Sequence, residues 1–365
     1  MKITHLTPLL YSNYIGGGER LVDLSIKAIK ISSSLMNTTN ISQEVITIGD
    51  KYDARIINGV PYLSLPADDR MSDPWGKTSY KMIDMLLDSD IIHIHNIFTK
   101  FGLYTLMQAK YIGKVVVGSD YAGGNNNLMN HIDGLILISS FADKFNTTEY
   151  NGLKKIIIGP VDTAKFNPNG RKQKRKVGSL VAVSRILPHK GIDVVIEALP
   201  DNVELRIIGK VHDKRYYEDL KKLSKGKNVK FLHDINDDES LVLEYLKADA
   251  FIQCSTIIDM YGNLHPKSEL MGYSAMEAMS CGLPPIVSNC CSFPEIIADK
   301  ETGFLFNNKQ DLSLLLEELH NGSFNLEEIS RNAMQRIYEN FSLEKIGVSL
   351  LSFYSEVLKK RFIKL

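Results

Sequence analysis

Two kinds of apolar pattern alternate along the chain. Short continuous runs at Lys2–Leu10, Glu44–Ile48, Asp90–His95, Lys114–Gly118, Gly134–Ser139 and Lys154–Gly159 have the length and flanks of buried strands. Between several of them the apolar positions recur every three or four residues, as at Leu21–Ile31, Lys77–Leu87 and Leu103–Ile112, which is the period of an amphipathic helix. The second half repeats the alternation. Strands are expected at Ser179–Ser184, Glu204–Gly209, Val229–His233 and Ala250–Cys254, and helices at Val194–Leu199, Asp238–Leu246, 273–281, Asp311–His320 and Leu326–Ile337. Strands alternating with helices predict parallel, doubly wound α/β sheets, with ligands held outside the carboxyl ends of the strands.

At 365 residues the chain is long for one core, so two domains are expected. The break is placed at the basic stretch Gly170–Lys176, either an interdomain linker or a patch that meets anionic groups. The boundaries expected are 1–168, 177–340 and a terminal helix at 341–365, with Ser342 as its cap. Lys and Arg total 43, as do Asp and Glu, and this zero balance argues against a nucleic-acid partner. No apolar run approaches the roughly 20 residues of a spanning helix, so any membrane contact would be peripheral. The N-terminus reads as a strand, not a signal segment, and the four cysteines lack zinc spacing. A cytoplasmic protein with reduced thiols is the expectation.

The densest chemistry lies at Glu269-Leu-Met-Gly272-Tyr273-Ser274-Ala-Met-Glu277. Good helix formers follow Gly272, and Gly282 with Pro284 and Pro285 ends the run. The amides of Gly272, Tyr273 and Ser274 are then the open donors of a first turn, suited to an anion. The two glutamates bracket that anion site, at most about 12 Å apart along the axis. Carboxylates repel phosphate and accept paired hydroxyl hydrogen bonds, so an extended ligand with a central phosphate and flanking sugars fits. The plainer alternative is a solvated loop residue and a helix-surface charge, against which stands the apolar setting of Glu277.

Other stretches carry weaker signals. Gly16-Gly17-Gly18 after the first strand is either a tight turn or a phosphate-facing loop, without dinucleotide-fingerprint spacing. His93 and His95 share one face of their strand, but no third ligand follows at a sensible spacing, so no metal site is expected. Asp120 either orients a hydroxyl or caps a turn. Arg185 and Lys190 leave the end of a strand as two cations, which a diphosphate leaving group requires. The loop Ser255–Ser268 is either a lid or specificity insert, or a tolerated surface loop.

Taken with Glu-Ala-Met-x-x-Gly-x-Pro, Pro294-Glu295-Ile296-Ile297 and Thr302-Gly303-Phe304-Leu305, the Glu-x7-Glu motif resembles the signature of the GT-B retaining glycosyltransferases of family four, the glycosyl transferases group 1. Ser184-Arg185-x-x-x-x-Lys190-Gly191 is similar to the diphosphate clamp of that family. The resemblance implies two Rossmann-like domains facing across a cleft, the terminal helix crossing back to the first. It implies a nucleoside diphosphate sugar as co-substrate and no further cofactor. The acceptor would be a carbohydrate, a lipid-linked molecule or another hydroxyl compound. Arg185 and Lys190 would hold the diphosphate with the amides of Gly272–Ser274, Glu269 the transferred sugar and Glu277 the ribose. His233 would lie near the base, and Gly16, Gly17, His95, Asp120 and Tyr121 near the acceptor. Tyr121 stands where relatives usually have histidine, and it can hydrogen-bond a hydroxyl but supplies no imidazole. A nucleotide-sugar 2-epimerase and a non-catalytic nucleotide-sugar or glycan binder are the alternatives.

Overall fold

The computed structural model describes residues 1–8, 17–36, 40–68, 76–122, 124, 127–145, 150, 152–170 and 174–363. They form two compact units, Met1–Pro160 with Leu343–Leu365, and Val161–Ser342. No helix among the described residues is long and apolar enough to cross a membrane.

The first unit contains β1 (Lys2–Leu6), α1 (Gly17–Leu35), β2 (Ser42–Gly49), β3 (Asp53–Ile57), β4 (Val60–Pro66), α2 (Met82–Leu86), β5 (Ile91–His95), α3 (Lys100–Tyr111), β6 (Val115–Asp120), β7 (Gly134–Leu137), α4 (Ser140–Asp143) and β8 (Leu153–Ile156). Its sheet runs β3-β4-β2-β1-β5-β6-β7-β8, parallel except for β3. Every residue of β5 and β6 is buried, which is why these strands read as unbroken runs instead of alternating ones. The antiparallel β3–β4 pair was not expected. It turns at Asn58-Gly59, both with positive φ (52° and 77°), the hairpin turn that matches strand twist. Helix α2 is shorter than predicted, because Asp68 takes the backbone of the preceding residues: its N–H donates to Thr78 O, and its carboxylate accepts from Tyr80 N–H.

The second unit contains β9 (Ser179–Val183), α5 (Ile192–Ala198), β10 (Glu204–Ile208), α6 (Lys214–Leu223), β11 (Val229–Leu232), α7 (Asp238–Lys247), β12 (Ala250–Gln253), α8 (Tyr273–Ser280), β13 (Pro285–Ser288), α9 (Phe293–Ile296), β14 (Phe304–Phe306), α10 (Lys309–Asn321) and α11 (Leu326–Phe341). All six strands are parallel, in the order β11-β10-β9-β12-β13-β14. Residues 161–168, expected to close the first domain, belong to this unit. Val161 N–H donates to Phe341 O at 2.7 Å, and Lys165 pairs with Asp238 at 2.8 Å. Of the basic stretch, residues 171–173 lie outside those described, and Lys174 pairs with the carboxylate of Asp249 at 2.9 Å.

Helix α12 (Leu343–Ile363) lies along α1 in the first unit and buries Ile346, Leu350, Phe353, Tyr354 and Val357. Gly347 sets the approach: a Cβ there would sit 2.2 Å from Ala28 O.

Candidate functional site

Strand order decides where a ligand can bind. In the second sheet β9 leads outward to β10 and β11, and the chain then returns to place β12 on its other side. Loops leaving β9 and β12 therefore diverge at their carboxyl ends and leave a crevice. The first loop carries Arg185 and Lys190, the second Glu269. They are drawn together at Gly191, where φ is +56° and a Cβ would lie 1.9 Å from Cys254 O, at the end of β12. No side chain fits there.

The result is a compact polar knot. Lys190 Nζ lies 2.9 Å from Glu269 Oε2 and donates to Ser268 O at 3.0 Å. Glu269 Oε1 accepts from Gly272 N–H at 2.9 Å, and Oε2 also accepts from Gln253 Nε2 at 2.7 Å. Burial pushes this carboxyl up, but Lys190, the Gly272 N–H and Gln253 together outweigh it and hold the group below the ordinary glutamate range. It is ionised at neutral pH. Arg185, in the same loop as Lys190, is exposed. Gly272 (φ +68°) precedes α8, so Tyr273 and Ser274 form the first turn, both partly exposed.

Two further predicted residues are placed differently from a simple ligand-facing picture. Glu277 lies inside α8 and is only 2% exposed, with Tyr245 OH donating to its Oε2 at 3.4 Å and to Ser274 O at 3.2 Å. His233 follows β11 with both ring nitrogens engaged: Nδ1–H donates to Gly209 O at 2.8 Å, so Nε2 accepts from Tyr217 OH at 3.0 Å.

Sequence reasoning missed three neighbours. Gln253 ends β12 and spans Glu269 and Ser274, whose Oγ donates to Gln253 Oε1 at 3.2 Å. His189 shares the loop of Lys190; burial, then the charge of Lys190, push its imidazole down to about 4, with His265 and Arg185 adding to the effect. Cys291 has a positive φ (58°) and lies 3.1 Å from Ser268 Oγ. Glutamine at the end of a buried apolar strand was the one available signal; the other two depend on packing. The long loop 255–268 is ordered around Asp259, which accepts from the Tyr261 and Asn263 amides (both 2.9 Å) and His265 Nε2 (2.8 Å). It is tied to the cationic loop by Thr256 N–H donating to His189 O at 2.9 Å, and by the His189 and His265 rings 5.0 Å apart.

The first unit holds the remaining predicted residues. Gly16 lies outside the described residues and Gly17 opens α1. His95, expected near the acceptor, is completely buried. Gln43 Nε2 donates to Ile26 O, which aims its Oε1 at His5 Nε2 (both 3.1 Å). His5 Nδ1 then accepts from His95 Nε2 (3.1 Å), and His95 Nδ1 accepts from Tyr121 OH (2.6 Å). His93 bonds Ser119 Oγ (2.6 Å) and Tyr354 OH (2.7 Å). Parallel pairing of β1 with β5 sets His5 beside His93, so the third imidazole absent from the local spacing comes from the first strand. Ligand atoms of His5, His93 and His95 lie within 4.8 Å of one another. All six ring nitrogens already have protein partners, and burial pushes all three imidazoles below their ordinary range, so they form a neutral hydrogen-bonded network. Asp120 is buried, and its two oxygens accept from Ala122 N–H (3.1 Å) and Gly124 N–H (2.7 Å), a turn arrangement.

Comparison with known proteins bears on the second unit and on the fold. Residues 161–336 match the family model described as Glycosyl transferases group 1. An uncharacterized glycosyltransferase of Methanocaldococcus jannaschii is 24% identical over 387 residues, covering 98% of this chain and 99% of that protein. The sulfoquinovosyl transferase SQD2 of Arabidopsis thaliana is 31% identical over 159 residues, which span 40% of this chain but 29% of the plant protein. Among solved structures, Anabaena HepE in complex with UDP-glucose superposes with a TM-score of 0.74 at 16% identity, covering 98% of this chain and 100% of that one. Residues 161–336 thus match the group 1 glycosyl transferases, and the chain has the fold of the GT-B glycosyltransferases.

Proposed function

We propose that this glycosyltransferase moves a hexosyl group from a nucleoside diphosphate sugar to a hydroxyl of a carbohydrate, lipid-linked or small acceptor, with retention at the anomeric carbon and without a metal ion. The observation that carries this reading is the Lys190–Glu269 pair, 2.9 Å apart where β9 and β12 diverge. When a diphosphate binds, Lys190 turns to it from Glu269, which sets the leaving diphosphate beside the carboxylate that takes hydroxyls of the sugar it leaves. Lys190 and Arg185, with the amides at the start of α8, neutralise charge gathering on the diphosphate as the glycosidic bond lengthens. Glu269, ionised, accepts sugar hydroxyls and aligns the anomeric carbon. Glu277 is assigned to the ribose hydroxyls and His233 to the surroundings of the base. No side chain is assigned as nucleophile: the acceptor attacks the face the diphosphate is leaving, and the departing phosphate takes its proton.

Turnover of UDP-, GDP- and ADP-hexoses, followed with a labelled sugar and a panel of acceptors, tests the reading. Lys190→Ala and Glu269→Ala are each expected to lower kcat/KM at least 100-fold, as loss of a transition-state charge contact does. Unchanged turnover in both would remove the site. Label should reach an acceptor, whereas label that stays on the nucleotide as an epimerised sugar would identify an epimerase. A chelator is expected to leave turnover intact; loss restored by a divalent ion would count against the cation clamp.

A further inference from the structure

Glutamine is costly at the end of a buried strand unless its amide is fully used. Gln253 follows Ala250, Phe251 and Ile252 and is itself 4% exposed. Its amide reaches two groups of the candidate site from below: Nε2 lies 2.7 Å from Glu269 Oε2 and 3.4 Å from Ser255 Oγ, and Oε1 lies 3.2 Å from Ser274 Oγ. The amide cannot be reversed without setting its oxygen against an ionised carboxylate. Ser274, as donor to Oε1, completes the only arrangement in which every group is satisfied.

Glu269 has three donors: Gly272 N–H on Oε1, and Lys190 and Gln253 on Oε2. In the function proposed above, Lys190 turns from the carboxylate to the diphosphate. Of the three donors, that leaves Gly272 N–H on one oxygen and Gln253 on the other, and frees one acceptor position on Oε2. We propose that Gln253 is a positioning residue of the donor site: it holds the Glu269 carboxylate in place when Lys190 departs, so that a sugar hydroxyl takes the position Lys190 leaves. This assignment rests on the reading of the site as a sugar-nucleotide site. It adds that the sugar half of the ligand is oriented from within β12, through a residue that touches no substrate.

Gln253→Leu keeps the bulk and removes all three hydrogen bonds; Gln253→Glu keeps the shape and sets a second carboxylate against the first. Binding is measured by calorimetry with UDP, GDP and ADP, and turnover with the hexose conjugate of the tightest binder. Gln253→Leu is expected to bind the nucleoside diphosphate within about threefold of the parent, while kcat falls about 10- to 100-fold, the scale of a small misplacement of a reacting group. In Gln253→Glu the two carboxylates share a proton, and the acid limb of the kcat profile is expected to move up by about one pH unit or more. The charged and titratable groups facing Glu269 are Lys190, His189 and Cys291, and they are the same in both proteins. Should Gln253→Leu fail to fold, Ser274→Ala frees the same amide without disturbing β12 and is expected to lower kcat in the same sense. Unchanged kcat, or a loss of diphosphate affinity as large as the loss of kcat, would overturn the positioning role. A parent protein that binds none of the three diphosphates would overturn the donor-site reading itself, and this proposal with it.

Discussion

Lys190 and Glu269 stand as one pair of opposite charges, 2.9 Å apart. Each charge is partly buried, and each would be costly alone. Together they keep the carboxylate ionised and the ammonium poised at a strand end. Removing Glu269 leaves Lys190 with Ser268 O alone of these partners, so Glu269→Ala is expected to loosen the loop of Lys190 as well as to lose sugar contacts. Nearby, hydrogen bonds from Cys290 and Ser268 and the Glu269 N–H outweigh burial and hold the Cys291 thiol below its ordinary range. Iodoacetamide at pH 7 is expected to label Cys291 ahead of the buried Cys254 and Cys281, as read by peptide mass spectrometry. The histidine network responds to pH in a defined direction. Burial pushes His5 down to about 4, so the folded state refuses a proton that the unfolded chain accepts near 6.5. That contribution is complete above about pH 6.5 and is lost as pH falls toward 4, at about 1.4 kcal/mol per pH unit for each such histidine. Chemical denaturation at pH 7 and pH 5 should show the fall, and His95→Gln should flatten it.

At the level of elements, the central strands β5, β6, β7 and β12 were plain in the sequence because each is buried on both faces and so has no polar alternation. What escaped notice was local and polar. The β3–β4 hairpin carried a turn signal in Asn58-Gly59, yet β3 has only five residues and is largely exposed, so hydrophobic patterning did not mark it as a strand. Helix α6 was hidden by its charges: among Lys, Arg, Glu and Asp, only Tyr216 and Leu220 are fully buried, and Asp213 caps the helix by accepting from Tyr216 N–H at 3.0 Å. The pairing of α12 with α1 depends on the bare backbone at Gly347. Gly347→Ala drives a methyl into Ala28 O and is expected to destabilise the first unit by about 1–3 kcal/mol, visible as a lower melting temperature.

For the molecule as a whole, the two units divide the polar clusters. Lys190, Glu269 and Gln253 lie within Val161–Ser342, whereas the buried histidines lie within Met1–Pro160. A nucleoside diphosphate is therefore expected to raise amide protection at residues 185–190 and 269–277 and to leave β5 and β6 unchanged, as hydrogen exchange would read. At about 100 times its Kd it should add about 2.7 kcal/mol to the stability of the state that binds it. The sequence by itself determined the alternation of strands and helices, the glutamate pair around a helix start, and the two cations after a strand. Those follow from short-range periods and backbone chemistry, which a linear chain displays. Only the tertiary structure decided which groups meet: Lys190 with Glu269, Gln253 beneath both, and His5 beside His93 and His95. Such meetings depend on strand order and register, and these are set by how faces bury against one another across tens of residues.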